Sequence, residues 1–176
     1  MSRLERSLAG LCGAAMAGIK PASLAVCGGE EAEELYAKRR VFAEKGIRIE
    51  PLRTEKDKIV YLVFRENKLR EQLTGEENAA FLRRYGYPAG FEERLAFLRL
   101  RLQSRCFPHE IGVFLGYPLE DIVGYLNDPQ GCIFSGAWKV YADPEKKKRL
   151  FEKYRRCSNC IMRRLLAGET LAQIFR

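Results

Sequence analysis

The fold class follows from residues 22–65, which read ASLAVCGGEEAEELYAKRRVFAEKGIRIEPLRTEKDKIVYLVFR. The short apolar run at its start, closed by two glycines, is typical of a buried strand that ends in a tight turn. Residues 30–45 open with acidic side chains and end at a Lys-Gly pair, which predicts one helix. The β-branched and aromatic residues of 47–53 and 58–65 predict two paired strands.

The flanking sequence is mainly helical by its pattern. Apolar residues spaced three and four apart predict helices at 2–17, 76–85, 91–104 and 144–166, two short ones within 107–126, and one after residue 168. A further strand is expected at 137–142, where AWKVYA alternates. We therefore expect an α+β fold, with a small mixed β-sheet of about four strands flanked by helices and a helix-rich middle and C-terminal region. The chain of 176 residues contains no repeat or Ser/Pro-rich linker, so a single domain over 1–176 is expected.

The chain is basic, and the excess charge is concentrated at one end. Its 31 Lys and Arg residues against 23 Asp and Glu give a formal net charge of +8, and residues 138–176 alone hold 11 basic and 4 acidic residues. Such a surface attracts nucleic acid, an anionic membrane or an acidic protein, or is a solvated helix face without a partner. The expected partner-binding residues are Lys146, Lys147, Lys148, Arg155 and Arg156.

The sequence favours a cytoplasmic protein that does not insert into a membrane. No stretch reaches the ~18 consecutive apolar residues that a membrane-spanning helix needs. The N-terminal apolar run 7–19 is preceded by Glu5 among basic residues and interrupted by Lys20-Pro21, so we interpret it as a helix and not as a signal peptide. Six cysteines in a chain of this length are expected to be reduced thiols.

His109 and Glu110 place the chain's only histidine beside a carboxylate. Pro108 suits the first turn of a helix, where the dipole lowers an imidazole pKa and stabilises a carboxylate. This arrangement is compatible with an acid/base pair or with metal ligands. The structural alternative is that Glu110 caps its own helix and His109 makes one buried hydrogen bond.

A ligand pocket is predicted from polar and sulfur-bearing residues in apolar surroundings. Lys20 precedes the first strand, while Lys139 and Tyr141 share one strand face, so these groups either bind a carboxylate or phosphate or extend into water. The predicted pocket residues are Lys20, Cys27, His109, Glu110, Cys132, Lys139 and Tyr141. The chain has neither GxxxxGK nor GxGxxG, so no nucleotide motif supports a particular cofactor.

Cys157 and Cys160 form a CxxC motif within the predicted C-terminal helix. Residues three apart share a helix face, and the neighbouring arginines are expected to lower both thiol pKa values. This favours thiolate chemistry or metal binding, with Cys157 and Cys160 as the candidate metal ligands. A structural zinc site needs four ligands, so a second pair must come from elsewhere in the fold, and simple packing is the alternative.

Two longer motifs, FPHEIGVFLGYP at 107–118 and GAWKVY at 136–141, resemble the signature of an uncharacterised bacterial family, domain-of-unknown-function family 3793. The segment AGIKPA at 17–22 and the position of Cys157 after Phe-x-x-Tyr are also similar to that family. The resemblance covers nearly the whole chain. It implies a protein of anaerobic bacteria, often encoded beside flavodoxins, and it implies no particular activity.

Two hypotheses of function follow. The first is an accessory protein that binds a small ligand or metal in anaerobic redox or iron metabolism and docks an acidic partner such as flavodoxin. It rests on the resemblance and on the basic surface, and it leaves open whether the protein is an enzyme. The alternative is a nucleic-acid-binding regulator, because residues 110–126 have the spacing of a helix-turn-helix. Against it, the would-be recognition helix begins with Glu120 and Asp121 and contains no Lys or Arg.

Overall fold

A computed structural model describes residues 1–175 and has the expected α+β fold with helices flanking the strands. The helices are α1 Arg3–Met16, α2 Glu30–Glu44, α3 Glu66–Thr74, α4 Glu76–Arg84, α5 Phe91–Leu102, α6 Ile111–Phe114, α7 Leu119–Asn127, α8 Pro144–Leu166 and α9 Leu171–Ile174. The strands are β1 Ala22–Gly28, β2 Ile47–Glu55, β3 Lys58–Arg65, β4 Phe134–Ser135 and β5 Lys139–Val140. Two compact units divide these elements, unit 1 with residues 1–69 and 155–175 and unit 2 with residues 70–154. The expectation of a single domain stays a prediction.

Unit 1 is built on a three-stranded antiparallel sheet with the order β1-β3-β2. Because side chains alternate along a strand, every second residue faces the helices. Ala25 of β1 lies opposite Tyr61 of β3 in this register, and both belong to the apolar core of the unit. The helices α1, α2 and α9 and the end of α8 supply the other half of that core, with residues such as Leu8, Leu35 and Leu165.

One arginine of the sheet fastens the ends of two helices in unit 1. Arg65 donates from Nε to the Met16 carbonyl at 2.7 Å and from Nη1 to the Lys45 carbonyl at 2.8 Å. The last carbonyls of a helix have no partner within it, and a cation there also opposes the negative end of the helix dipole. Arg65 therefore fixes the C-termini of α1 and α2 on the sheet.

The N-terminal helix begins at a capping box. Ser2 accepts from the Glu5 backbone and Glu5 accepts from the Ser2 backbone, as this motif requires. Glu5 is buried and also accepts from the Leu171 backbone N–H at 3.2 Å, which connects α1 with α9. The predicted helix at this end is confirmed.

Unit 2 consists of short helices and one small strand pair. The helices α6 and α7 are separated at Gly116-Tyr117-Pro118, as predicted, and Gly116 has a φ of +73°, which a residue with a Cβ rarely adopts. The strands β4 and β5 are two residues each and pair antiparallel, with Phe134 opposite Val140.

Three details differ from the sequence-based expectation. The strands form two separate antiparallel sheets of three and two strands, and not one mixed sheet. The expected strand at 137–142 is reduced to Lys139–Val140, and its partner Phe134–Ser135 is too short to produce an alternating pattern. Helix α3 was not predicted, because it follows β3 directly without a glycine or proline to mark its start.

Candidate functional site

The predicted pocket residues are divided between the two units. Lys20 and Cys27 belong to unit 1, and the other five belong to unit 2. Each group is therefore described in its own unit.

In unit 1, Lys20 is half-buried and interacts electrostatically with the thiol of Cys12. Burial lowers the pKa of Lys20, and the nearby Cys12 opposes that shift. Cys12 and Cys27 are both buried in the core, and burial raises the pKa of both thiols, that of Cys12 to about 12. Burial thus keeps the two thiols in their neutral form, which suits packing.

In unit 2, the buried carboxylate of Glu110 forms an ion pair with Arg101. Its carboxylate accepts from Arg101 Nε at 2.8 Å and from the Tyr87 hydroxyl at 3.4 Å, and its side chain is 2% exposed. Burial and the nearby Glu110 raise the pKa of Tyr87. Glu110 therefore anchors α5 to the start of α6 as a structural residue.

The His109 ring instead packs among aromatic rings. Its centroid lies 5.3 Å from that of Phe107 and 4.9 Å from that of Tyr125, and the ammonium group of Lys139 lies 5.6 Å from the Tyr125 ring. We call these four residues the Tyr125 cluster. Phe107 is exposed at its outer end. The fold thus brings two predicted pocket residues, His109 and Lys139, to the same aromatic ring.

Tyr141 and Cys132 lie close to this cluster. Tyr141 donates to the Asp128 carbonyl at 2.7 Å, and Lys139 donates to the Pro129 carbonyl at 2.5 Å, so both hold the turn after α7. Burial, then the proximity of Cys132, raises the pKa of Tyr141. The Tyr141 ring lies flat against α7 at Gly124, where a Cβ would stand only 2.3 Å from the ring.

A buried carboxylate that sequence reasoning missed organises the strand β5. Asp121 accepts from Trp138 Nε1 at 2.8 Å and from the Tyr141 backbone N–H at 2.8 Å, and it lies 3.7 Å from the ammonium of Lys147. The Trp138 ring stacks on Tyr117, with centroids 4.6 Å apart. The segments 116–118, 120–121 and 136–141 thus meet around Asp121. We call Asp121, Trp138 and Lys147 the polar node of unit 2. No local pattern in the sequence marks this contact, because Trp138 and Asp121 are 17 residues apart.

Lys147 requires a correction to the predicted partner-binding surface. Its side chain is 2% exposed, and its ammonium lies 2.7 Å from Glu120 and 3.7 Å from Asp121. It therefore belongs to the interior of unit 2, whereas Lys146, Lys148, Arg155 and Arg156 are exposed. The pattern of five consecutive charged residues from 145 to 149 did not reveal which one faces inward.

The same ion pairs change the interpretation of residues 110–126. Helix α6 has four residues, and the first turn of α7 is engaged with Lys147 and Trp138 through Glu120 and Asp121. A recognition helix needs a free N-terminal turn to reach base edges. The helix-turn-helix alternative gains no support from this geometry.

Cys157 and Cys160 lie on one turn of α8 within unit 1. Cys160 is exposed, and Cys157 is half-buried with its Sγ 3.8 Å from the Gly13 carbonyl. The expectation that arginines lower both thiol pKa values is wrong for Cys157, because burial raises its pKa. Within residues 1–175 no group of three or more His, Cys, Asp or Glu side chains is placed to hold a metal ion. Metal binding by this pair stays a prediction.

The exposed face of α8 carries a groove in unit 1. The groove has a volume of about 570 Å³ and is lined by Arg156, Asn159, Met162 and Arg163. We call it the docking groove. Arg156 and Arg163 lie two turns apart on the same face, and Met162 also lines the groove.

The family of the chain is shown by comparison with family models. The model described as "Protein of unknown function (DUF3793)" matches residues 8–175. The chain belongs to this family. The DUF3793 match includes both units and every candidate residue considered above. No curated protein and no solved structure matched the chain, and no helix among the described residues is long and apolar enough to cross a bilayer.

Proposed function

We propose that this protein is an accessory binding protein that docks an acidic protein, such as a flavodoxin, through α8. The docking groove is the observation that carries the proposal. Two guanidinium groups and a thioether line it, and Arg and Met are enriched in protein–protein interfaces, whereas Lys and Glu are depleted. The setting in anaerobic redox or iron metabolism is supported by the family resemblance.

The positive charge of α8 favours an acidic partner for the groove. Helix α8 contains nine Lys and Arg residues and two Glu residues. Opposite charge on a partner raises the rate of association and makes it dependent on salt. An acidic protein supplies that charge together with an apolar group for Met162, whereas the outer surface of duplex DNA is its phosphate backbone.

A small ligand at the Tyr125 cluster is a second candidate function. The exposed Phe107 ring, the His109 ring and the Lys139 ammonium lie around Tyr125. Rings next to a cation favour a planar, anionic aromatic molecule. If such a ligand binds, a titration with an aromatic carboxylate saturates with the parent protein and is weakened in Phe107→Ala. A Phe107→Ala variant that binds equally well contradicts this candidate.

The docking proposal is tested by titrating the protein with a purified acidic flavodoxin at several salt concentrations. The double variant Arg156→Glu/Arg163→Glu should weaken the affinity at low salt by about tenfold or more, mainly through a slower association. The matched control is Arg83→Glu/Arg84→Glu, which makes the same change in net charge at exposed arginines of α4. The control should bind almost as the parent does.

A parallel titration with duplex DNA separates the alternatives. Equal weakening by both double variants would contradict a specific groove, since it would report net charge alone. Absence of flavodoxin binding, with tight duplex binding and a log–log salt slope of about −0.9 per phosphate contact, would instead support the nucleic-acid alternative.

A further inference from the structure

The thiols of Cys157 and Cys160 differ from the other four thiols in having a neighbour one helical turn away. Cys12 and Cys27 are buried in the core of unit 1, while Cys106 is exposed and Cys132 half-buried in unit 2. Cys160 is open to solvent, and Cys157 lies behind it, half-buried and directed at the Gly13 carbonyl. One accessible thiol and one protected thiol therefore stand side by side on α8.

The helix spaces the two residues for a disulfide bond. In an α-helix, Cα atoms three residues apart are about 5 Å from each other, which lies within the ~4.4–6.8 Å found across disulfides. Their Cβ atoms are about 5–6 Å apart, which exceeds the ~3.5–4.5 Å of a relaxed disulfide. The helical turn must therefore tighten when the bond forms. A bond that strains its surroundings is easily reduced again, so the pair can cycle between the two states.

We propose that Cys157 and Cys160 form a thiol–disulfide exchange site for small anionic disulfides. The thiolate of Cys160 attacks one sulfur of the small disulfide, which breaks the S–S bond and releases one small thiolate that takes up a proton. The thiolate of Cys157 then attacks the Cys160 sulfur and releases the second small thiolate. The two protein thiols lose two hydrogens and two electrons, and the small disulfide gains them as two thiols.

The surroundings determine which thiol reacts first and which substrate is favoured. Cys160 is exposed, so an incoming disulfide reaches it before Cys157. Arg156 lies one turn before Cys160 and Arg163 one turn after it, and both are exposed. Positive charge around the attacking sulfur attracts a disulfide that carries carboxylates. The site does not depend on the docking proposal.

The chain contains its own control in Cys106. This thiol is also exposed and has cations nearby, with Arg105 adjacent and Arg101 in electrostatic contact. It has no second cysteine within one helical turn. Under the same conditions Cys106 should stop at a mixed disulfide, while Cys157 and Cys160 should proceed to the intrachain bond.

The test uses the full-length protein, reduced and then held in glutathione buffers of defined ratio with a metal chelator. Samples are quenched with acid, alkylated and mapped by mass spectrometry. We expect a Cys157–Cys160 disulfide and a glutathione adduct on Cys106. Cys157→Ser should accumulate an adduct on Cys160, and Cys160→Ser should leave Cys157 unmodified. Cys157→Ala, whose fold is checked by circular dichroism, lacks the hydroxyl that serine introduces. It should also accumulate an adduct on Cys160.

Two results would overturn the proposal. One is a stable adduct on Cys160 in the parent protein, since Cys157 would then fail to displace it. The other is complete alkylation of Cys157 and Cys160 in a buffer that converts Cys106 to its adduct. A disulfide that forms equally fast in Cys106→Ser and in the parent would support the assignment to this pair.

Discussion

The two units are stabilised by different kinds of contact. Unit 1 places an apolar core between a regular sheet and its helices, and its main polar anchor, Arg65, bonds to helix ends. Unit 2 has little regular sheet and instead holds short elements together through buried carboxylates, Glu110 with Arg101 and Asp121 with Trp138 and Lys147. The motifs that resemble the family signature belong mostly to this second arrangement. The buried carboxylates of these motifs are thus explained by folding, and the exposed groove of unit 1 is the docking site that we propose.

The largest effect is expected when the polar node of unit 2 is broken. Asp121→Ala removes the acceptor of Trp138 Nε1 and of the Tyr141 backbone, and it leaves the buried Lys147 with Glu120 as its ion-pair partner. Leaving a buried donor without its acceptor costs about 1–3 kcal/mol, and Asp121→Ala does so to both Trp138 Nε1 and the Tyr141 N–H. The free energy of unfolding in urea measures this loss. The exposed Glu77→Ala should stay within about 0.5 kcal/mol of the parent.

Trp138 tests the apolar half of the same node. Its side chain is buried between Tyr117 and Phe151. Trp138→Ala should cost roughly 3–5 kcal/mol, because a large cavity replaces the ring. Denaturation with urea measures the cost, and a change below 1 kcal/mol, about that of a surface substitution, would show that the ring contributes little to packing.

The corresponding change in unit 1 should be smaller. Arg65→Met removes two hydrogen bonds from a charged donor to the ends of α1 and α2, at a cost of about 1.5–3 kcal/mol. Arg53→Met on β2 is the matched control, since Arg53 makes only an outer ion pair with Glu55 at 3.5 Å. Equal losses in both variants would contradict the anchoring role of Arg65.

The pH dependence of stability in alkaline solution tests the burial of the Cys12 thiol in unit 1. Burial raises the pKa of Cys12 from 9.0 to about 12. Between these values the unfolded chain loses the proton and the folded chain keeps it, so the free energy of unfolding falls with rising pH, by up to about 1.4 kcal/mol per pH unit. The lowered pKa of Lys20 acts in the opposite direction. The difference in slope between parent and Cys12→Ala isolates the thiol, and identical slopes would contradict its burial as a neutral group.

The smallest effect on stability is expected at the docking groove. Arg156→Glu/Arg163→Glu changes exposed side chains, so the free energy of unfolding should move by less than about 0.5 kcal/mol. Urea denaturation provides the check. A loss above 2 kcal/mol, far outside the range for exposed charges, would mean that these arginines serve the fold.

The sequence predicted elements where the pattern is long and missed groups whose role depends on distant partners. The strands around residues 47–65 and the helix α8 were found because periodicity extends over many residues. Asp121 and the inward-facing Lys147 were not, because a buried ion pair between α7 and α8 has no local signature. For the site, sequence placed His109 and Lys139 in one pocket, and the fold does bring both to Tyr125. The sequence also suggested that His109 and Glu110 act together, whereas the buried side chain of Glu110 pairs with Arg101.

Hydrogen exchange distinguishes docking through α8 from docking through the motif-rich surface of unit 2. Amide exchange of the chain is compared with and without a saturating acidic flavodoxin, peptide by peptide. We predict slower exchange in the peptide that contains residues 156–163, and weaker protection of that peptide in Arg156→Glu/Arg163→Glu when the flavodoxin concentration is near the Kd of the parent. Protection confined to peptides of residues 107–141, with 156–163 unchanged, would contradict it.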